Sequence, residues 1–426
     1  MPDGSNPEKV SSRISSILPE DLSSPQNLMN NICQNRSCVT FTATVFIIFP
    51  ANPTYLVAIV SWSIIYCMIS LSLCMIVKNE ADVLPRILSP MTDIADQILI
   101  ADTGSVDQTK EIACKYGAQV FDFPWCEDFS AARNFLLEKV RTDYWMWLDA
   151  DDLITPANLT LLSSLKSSLP SDTDIVMMKY ITAFHTDQSP AFSYYRERIL
   201  KTSCNFRWCG KVHEAIILSG KLLYSPIQIE HRKIKISDPD RNLRIYQHML
   251  ANAEVLDSRQ EFYYGKELFY HKLYREAAAV FLHFLETPEA WLENQLDACL
   301  QLCHCYRALG ENDKAMNILF KSFQFDVPRA EICYELGNLF LEKSAFISAV
   351  YWYQQALNAP YCEQDGGFFI PDCHDFLPLV QLCVCYDKLG QYKTAFDCLQ
   401  TAAKIHPDEP CIIQNQQYFL HKHGFS

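Results

Sequence analysis

Between residues 71 and 152 the chain alternates short apolar runs with amphipathic stretches. Each apolar run is bounded by turn-forming or polar residues, as expected for strands buried in a sheet. The predicted strands are LSLCMIV, DQILIADTGS, AQVFDFP and YWMWLDADD, and the predicted helices between them are KNEADVLPRIL, VDQTKEIACKYG and FSAARNFLLEKV. This β-α-β-α-β-α-β order predicts an α/β domain with a mostly parallel sheet and right-handed crossovers.

Beyond residue 245 the pattern becomes helical, and a unit of about 34 residues recurs. Copies start near Ser258 and at Leu296, Ala330 and Phe376. Their spacing of small and large apolar positions resembles tetratricopeptide repeats, in which two helices pack closely and successive units stack. The stretch YCEQDGGFFIPDCHDF, residues 361–376, is an insertion between two copies and is interpreted as a loop.

The repeats admit two interpretations. Stacked repeats form a concave surface that commonly binds a peptide or protein, so they could recruit an acceptor or a partner. Alternatively, they could form a homodimer or support the α/β domain. Within them, Cys303 and Cys383 take the small-residue position that Gly337 occupies in another copy, which indicates packing rather than thiol chemistry.

The N-terminal part is the least regular. Residues 1–36 are rich in Ser, Pro and Asn without a sustained period, which predicts disorder. No charged residue occurs from Ser37 to Val77, and the apolar run within this segment is long enough to cross a bilayer as a helix. Its end is also needed as the first strand, and Met68 directly precedes that strand. We therefore favour a native start at Met68, with residues 1–67 as an upstream extension, and keep a membrane anchor over 41–76 as the alternative.

We accordingly divide the chain into an extension (1–67), an α/β domain (68–245) and a repeat domain (246–426). Hydrophobic residues make up 49% of the 426 residues, in line with globular domains. The net charge of −14 argues against nucleic-acid binding, because many phosphates would have to be neutralised. The 18 cysteines are scattered, often in apolar helical stretches, which predicts free thiols and a cytoplasmic protein.

Polar residues follow three of the predicted strands. In a parallel sheet the carboxyl ends of the strands meet at one crevice, where ligands bind. Clustered carboxylates repel one another unless a cation compensates them, and Mg²⁺ or Mn²⁺ with oxygen ligands would do so. For Asp152 alone we favour a cap of the following helix. The crevice residues are Asn79 and Glu80 after the first strand, Asp102 after the second, and Asp149 and Asp151 after the fourth.

The segments SLCMIVKNEADVLPRIL, ADTGSVDQTKEIA, FSAARN and WLDADD, in this order, resemble inverting family 2 glycosyltransferases of the GT-A fold. The resemblance covers about residues 71–235. It is strongest to the branch that carries tetratricopeptide repeats behind the catalytic domain and includes sublancin-type peptide S-glycosyltransferases. It implies an α/β GT-A domain followed by an all-α repeat solenoid. Neither G-x-G-x-x-G after the first strand nor a P-loop is present, so a classical dinucleotide site is not supported.

The resemblance also implies roles for residues on the nucleotide-sugar side. Val77, Asn79 and Glu80 would line the nucleotide pocket. Asp102 would accept a hydrogen bond from the uracil ring. Arg133 would face the donor as a cation.

The implied metal site holds Mn²⁺ or Mg²⁺ against the diphosphate. Asp149 would contact the ribose side of the nucleotide and lie at the metal, and Asp151 would bind the ion. His231, after the apolar strand PIQI, would complete the site, although a purely structural role for this histidine is an equal alternative. A metal stabilises the charge that builds up as a nucleoside diphosphate departs.

An inverting transfer needs a base beside the acceptor. In GKVHEAI, Glu214 is the first candidate for that base and His213 the second. If the acceptor were a cysteine thiol, Glu214 would only need to orient it, because a thiol ionises more readily than a hydroxyl.

These observations predict a metal-dependent glycosyltransferase that moves a sugar from a nucleotide-sugar, namely a UDP-sugar, to a peptide, protein or glycan. A second hypothesis is a catalytically silent GT-A scaffold whose repeats form a protein-binding module. The presence of Asp102, Asp149, Asp151 and Glu214 argues against silence. A nucleotidyltransferase would need a glycine- and lysine-rich phosphate loop after the first strand, and KNEADVLP is not one.

Overall fold

The computed structural model describes residues 38–49, 56–234, 238–287, 290–360, 366–367 and 370–424. The predicted disorder of residues 1–36 lies outside these ranges. Two compact units are present: residues 1–70 with 163–171, and residues 71–162 with 172–426. The domain boundaries proposed above stay predictions.

In the first unit, strands β1 (Cys38–Phe49) and β2 (Leu56–Cys67) pair antiparallel, with Cys38 opposite Cys67 and Phe49 opposite Leu56. Among the residues described, none of the helices has the length and apolar character needed to span a membrane.

The second unit begins with the predicted alternation of strands and helices. Its first strand, β3, is formed by the residues that the sequence assigned to it, and the three crossover helices follow as expected. The elements are β3 (Leu71–Val77), α1 (Leu84–Met91), β4 (Gln97–Asp102), α2 (Thr109–Lys115), β5 (Gln119–Asp122), α3 (Phe129–Leu137), β6 (Tyr144–Trp147), β7 (Asp152–Leu153) and α4 (Pro156–Ser168), whose residues from 163 onward belong to the first unit.

Longer strands complete the sheet after α4. They are β8 (Ile175–Phe184), β9 (Pro190–Lys201) and β12 (Leu222–His231), while β10 (Trp208–Cys209) and β11 (Ala215–Ile216) form a small separate hairpin. The order across the large sheet is β5-β4-β3-β6-β9-β8-β12-β7. Neighbours from β5 to β6 are parallel, as are β8 and β12, whereas β9 and β7 run antiparallel to their neighbours.

This topology places several chain segments at one edge of the sheet. Val77 pairs with Asp102 at the carboxyl ends of β3 and β4, and β6 ends at Trp147, opposite Cys74 of β3. The antiparallel pairing of β7 with β12 sets His231 opposite Asp152. The predicted crevice is therefore built from both the parallel and the antiparallel parts of the sheet.

The C-terminal half consists of helices, and each predicted repeat is a pair of consecutive helices. Before them lies α5 (Arg241–Ala251), and after them α14 (Pro410–His423). The pairs are α6 (Ser258–Tyr270) with α7 (Tyr274–Phe284), α8 (Leu292–Ala308) with α9 (Asn312–Lys321), α10 (Ala330–Glu342) with α11 (Phe346–Asn358), and α12 (Phe376–Lys388) with α13 (Tyr392–Ile405).

The small residues of the repeats sit where two helices approach closely. A Cβ on Gly337 would lie 2.4 Å from the ring of Tyr353, and one on Gly265 would lie 2.7 Å from that of Phe281. Cys303 and Cys383 are buried, and the cysteines within the described ranges whose side chains are defined are free, as expected. Parts of the insertion, residues 361–365 and 368–369, lie outside the described residues.

Candidate active site

A cavity of about 1380 Å³ opens at the carboxyl edge of the sheet and reaches the first repeat helices. It brings together nine of the ten residues singled out from the sequence, and the tenth, Asp102, lies buried next to its lining residue Thr103. The nine are Val77, Asn79, Glu80, Arg133, Asp149, Asp151, His213, Glu214 and His231. Residues that are far apart in the sequence thus line one cavity, although the assignment of a role to each of them stays a prediction.

Arg133 joins the two sides of the cavity. It lies on α3, whose start is capped by the Asp128 side chain, and its own side chain is almost entirely buried. Its Nε donates to Glu214 Oε1 at 2.7 Å, and its Nη2 donates to Asp149 Oδ1 at 3.0 Å. The guanidinium also lies 5.0 Å from the ring centroid of Trp147, which keeps it in place by a cation–π contact.

This arrangement fixes the charge state of Asp149. Burial alone would raise the pKa of the Asp149 carboxyl, but the Arg133 guanidinium, with a contribution from Arg198, holds that pKa below its usual range. Asp149 is therefore an anion at neutral pH and a hydrogen-bond acceptor towards the cavity.

Asp152 corrects one expectation from the sequence. It does not cap the following helix but is fully buried, where Oδ2 accepts from Arg198 Nη1 at 3.1 Å and from the Asp149 backbone N–H at 3.1 Å. Its Oδ1 accepts from the Tyr180 hydroxyl at 2.8 Å. Asp152 accepts a hydrogen bond from the Asp149 backbone and therefore supports the loop that carries Asp149 and Asp151. Both of its carboxylate oxygens already have hydrogen-bond donors within the chain.

Asp151 and His231 face each other in the cavity wall, with Asp151 Oδ1 3.4 Å from His231 Nδ1. Burial raises the pKa of Asp151 despite the opposing effect of His231, and the carboxylates of Asp149 and Asp152 add to the rise. Interaction with Asp152 raises the pKa of His231 despite partial burial, and Asp151 adds to the rise.

The donor set fits a divalent ion. Ligand atoms of Asp151, Asp152 and His231 all lie within 4.8 Å of one another. Since Asp152 is engaged by Arg198 and Tyr180, Asp151 and His231 would supply the contacts. The Tyr180 hydroxyl is 2.9 Å from His231 Nδ1, the ring nitrogen that also faces Asp151, and this contact helps to fix the ring.

The ends of β3 and β4 form a tight backbone network on the other side of the cavity. Asn79 adopts a left-handed conformation with φ of 56°, and its Oδ1 accepts from the Val106 N–H at 2.8 Å. Asp102 Oδ1 accepts from the N–H groups of Gly104 and Ser105 at 2.9 and 2.8 Å. Asp102 Oδ2 is buried and makes no hydrogen bond with any part of the chain that the structure describes.

His213 and Glu214 are neighbours with different surroundings. Glu214 points to Arg133, whereas His213, with φ of 51°, points to the first repeat. His213 Nε2 lies 2.8 Å from Glu267 Oε1, and its ring stacks on Tyr263 with centroids 4.4 Å apart. His213 thus connects the α/β domain to α6, while Glu214 is the carboxylate next to the sheet.

Several cavity residues were not anticipated. Tyr180 and Arg196 come from β8 and β9, and Arg241 and Arg259 come from α5 and α6. Arg198, also on β9, is fully buried and does not line the cavity. The YYRER stretch carried a signal for Arg196 and Arg198, because charged residues two apart on a strand share a face. Both pack on the Trp147 ring, with guanidinium-to-centroid distances of 4.8 and 3.8 Å. No comparable signal marked the arginines of the repeat helices.

Comparison with known proteins agrees with this architecture. The family model described as glycosyl transferase family 2 matches residues 72–216. A TPR repeat-containing protein of Synechococcus elongatus is 44% identical over 99 residues, covering 23% of this chain and 25% of that protein. The SPbeta prophage-derived glycosyltransferase SunS of Bacillus subtilis is 26% identical over 219 residues, covering 48% of this chain and 50% of SunS. The chain thus spans half or less of the length of these relatives.

Among solved structures, glucosyl-3-phosphoglycerate synthase from Mycobacterium tuberculosis, in complex with Mn²⁺, uridine diphosphate and phosphoglyceric acid, matches with a TM-score of 0.24 and 15% identity. The match covers 32% of this chain and 56% of that one, and a score this low supports no inference about ligands. The family match and the helix pairs decide the assignment: residues 72–216 form a glycosyl transferase family 2 domain, and tetratricopeptide-type repeats follow it in the same chain.

Proposed function

We propose that this protein is a metal-dependent inverting glycosyltransferase that moves a sugar from a UDP-sugar to a peptide or protein acceptor. The observation that carries the proposal is the Arg133 guanidinium, which bridges Glu214 at 2.7 Å and Asp149 at 3.0 Å within one cavity. The Arg133 guanidinium thus contacts both Glu214, the carboxylate suited to the acceptor side, and Asp149, the carboxylate suited to the donor side.

On the donor side, the nucleotide would lie against the ends of β3 and β4. Val77 and Asn79 line the cavity there, and their backbone is held by hydrogen bonds to Thr103 and Ser105 at 2.9 and 2.8 Å. Asp102 Oδ2, which is buried without a hydrogen bond to the described residues, has the acceptor capacity for a ring N–H.

Around the diphosphate, Asp151 and His231 would hold Mn²⁺ or Mg²⁺. The ion, when bound, would offset the charge that develops on the leaving nucleoside diphosphate. The chain itself contributes the orientation of both ligands. Tyr180 and Asp152 fix His231, and the backbone carbonyl of Asp151 accepts from the Arg232 N–H at 2.9 Å.

On the acceptor side, Glu214 would take the proton from the attacking group as that group displaces the nucleoside diphosphate from the anomeric carbon. In the structure Glu214 is paired with Arg133 and almost entirely buried. The hydrogen bond from Arg133 Nε to Glu214 Oε1 holds the carboxylate in a fixed orientation.

The repeats support a peptide or protein acceptor. Arg241, Arg259, Tyr263 and Trp291, on or next to the repeat helices, line the same cavity as the sheet residues. Basic and aromatic side chains of this kind are frequent anchors in peptide interfaces. An acceptor segment lying along the repeats would therefore end close to Glu214.

The test is release of UDP from a panel of UDP-hexoses and UDP-N-acetylhexosamines, with and without peptide acceptors. Glu214→Gln should lower turnover by about 10²–10⁴-fold while leaving UDP affinity unchanged, as expected for loss of a general base. Glu254→Gln is the matched control, since Glu254 pairs with Lys211 and is not part of the cavity lining. Equal turnover of Glu214→Gln and the wild type would remove the base assignment, and no turnover by the wild type would leave a binding module.

A further inference from the structure

A second group of metal-ligand side chains lies apart from the candidate active site. His185 is in the turn between β8 and β9, Asp372 is in the short 3-10 helix Pro371–Cys373 of the insertion, and His406 follows the end of α13. One ligand atom from each lies within 4.8 Å of the other two. Three segments that are distant in sequence thus meet at one point.

The distances fit a coordinated ion better than a set of hydrogen bonds. Asp372 Oδ1 is 3.4 Å from His185 Nε2 and also 3.4 Å from His406 Nε2. Ligand atoms at about 2.0–2.1 Å from a tetrahedral zinc ion are roughly 3.3–3.4 Å apart. A charge-assisted N–H···O bond would instead bring each pair to about 2.7–2.9 Å. The two imidazoles therefore stand around the carboxylate oxygen at the spacing of a coordination shell.

The surroundings supply an outer carboxylate as well. Glu409 Oε1 is 4.0 Å from His185 Nδ1, the ring nitrogen that does not face Asp372. Metal-binding histidines commonly direct their second ring nitrogen to a carboxylate, which fixes the ring and its tautomer. The His406 ring is in turn held edge-on by the Phe376 ring, with centroids 4.8 Å apart. All three candidate ligands are mostly shielded from solvent, with side-chain exposures of 11%, 16% and 14%.

We propose that His185, Asp372 and His406 bind a divalent transition metal of the zinc class, with Glu409 orienting His185. This site differs in chemistry from the one at Asp151, because two imidazoles favour zinc-class ions over Mg²⁺. The proposed metal site also assigns a role to the insertion, because the insertion places Asp372 next to the two histidines.

The site would fasten the β8–β9 turn of the α/β domain to the last repeat. The same two strands carry Tyr180 and Arg196, which line the cavity. Zinc would therefore stabilise the contact between the catalytic sheet and the far end of the repeats without entering the reaction.

The experiment uses the full chain, stripped with a chelator and titrated with Zn²⁺ and Co²⁺ in excess Mg²⁺, which satisfies oxygen-rich sites. We expect about one equivalent of Zn²⁺ to remain after dialysis, and Co²⁺ to give the intense visible bands of a tetrahedral nitrogen- and oxygen-ligated ion. Both signals should be lost in His185→Gln and in His406→Gln. The control His283→Gln changes an exposed histidine and should keep both.

Glu409→Gln serves as the variant least at risk of misfolding. This substitution should weaken the affinity for Zn²⁺ by about 10–100-fold while leaving the stoichiometry of binding unchanged, as expected for a residue that orients a ligand. Added Zn²⁺ should raise the Tm of the wild type but not that of His406→Gln. Absence of retained zinc in the folded wild type, or equal retention by both histidine variants, would overturn the proposal and leave ordinary ion pairs.

Discussion

Replacing Asp152 with Asn should destabilise the α/β domain strongly, even though Asp152 is not part of the cavity lining. Its carboxylate is the partner of Arg198, and both side chains are completely buried. Arg198 Nη1 also donates to the Trp147 carbonyl, but Nε and Nη2 make no hydrogen bond within the described chain. Asp152 is thus the carboxylate in direct contact with the buried guanidinium.

Removing one partner of a buried ion pair costs about 3–5 kcal/mol, because the other charge stays buried without compensation. Asn would keep a hydrogen bond with Tyr180, so we expect the lower end, about 3 kcal/mol. With a urea m-value of about 3 kcal/mol/M, this loss lowers the unfolding midpoint by roughly 1 M. Tryptophan fluorescence is a suitable probe, since the Trp147 ring centroid lies 3.8 Å from the Arg198 guanidinium carbon.

Asp151→Asn is the matched control, one residue away but partly exposed, and its midpoint should move by less than the equivalent of about 0.5 kcal/mol. The double variant Asp152→Asn/Arg198→Met should recover much of the loss, because an apolar side chain needs no counter-ion. Equal midpoints for Asp152→Asn and Asp151→Asn would show that the buried ion pair does not support the loop.

Two further predictions concern the repeats. Gly337→Ala should lower the stability of the repeats by about 1–3 kcal/mol, because the new methyl group would meet the Tyr353 ring. The measurement is urea unfolding monitored by circular dichroism. The double variant Gly337→Ala/Tyr353→Leu should relieve the loss, and equal stability of the single and double variants would contradict the packing argument. Glu267→Gln should lower the free energy of unfolding by about 1.5–3 kcal/mol in the same assay, because Glu267 Oε1 is the buried partner of His213 Nε2 at 2.8 Å. Glu261→Gln, on the same helix, is the comparison. Equal effects of the two substitutions would refute the role of the His213 contact.

The sequence predicted the parts of the fold that local pattern determines. Strands β3 to β6 and the helices between them follow from apolar periodicity, and the crevice residues follow because parallel strands end at one edge. The repeat helices were equally predictable, since each copy shows the same spacing, and the clash expected at Gly337 confirms the packing reason for its small residue.

What the sequence did not reveal depends on long-range pairing. Asp152 was interpreted as a helix cap because its burial arises only from the pairing of β7 with β12 and from Arg198 on β9. Arg241 and Arg259 reach the cavity only because α5 and α6 pack against the α/β domain. Such contacts depend on the shape of two surfaces, which no local motif encodes.

The first repeat follows the α/β domain in the sequence and also contributes residues to the candidate active site. Arg259 Nε donates to the His213 carbonyl at 3.2 Å, and Glu267 Oε1 lies 2.8 Å from His213 Nε2. Because His213 directly precedes Glu214, these contacts help to set the position of the proposed base. Loss of the repeats would therefore alter the cavity itself, and point variants are the better probes of acceptor binding.

The measurement that tests the central claim most directly is calorimetric titration of UDP into the full chain, with Mn²⁺ and again with EDTA. We predict binding that needs the metal, that is lost in Asp151→Ala and His231→Ala, and that is retained in His283→Gln. Binding of equal strength with EDTA, or in Asp151→Ala, would contradict the assignment of Asp151 and His231 to a metal that holds the diphosphate. Absence of any UDP binding by the folded wild type would contradict the claim that this cavity takes a UDP-sugar.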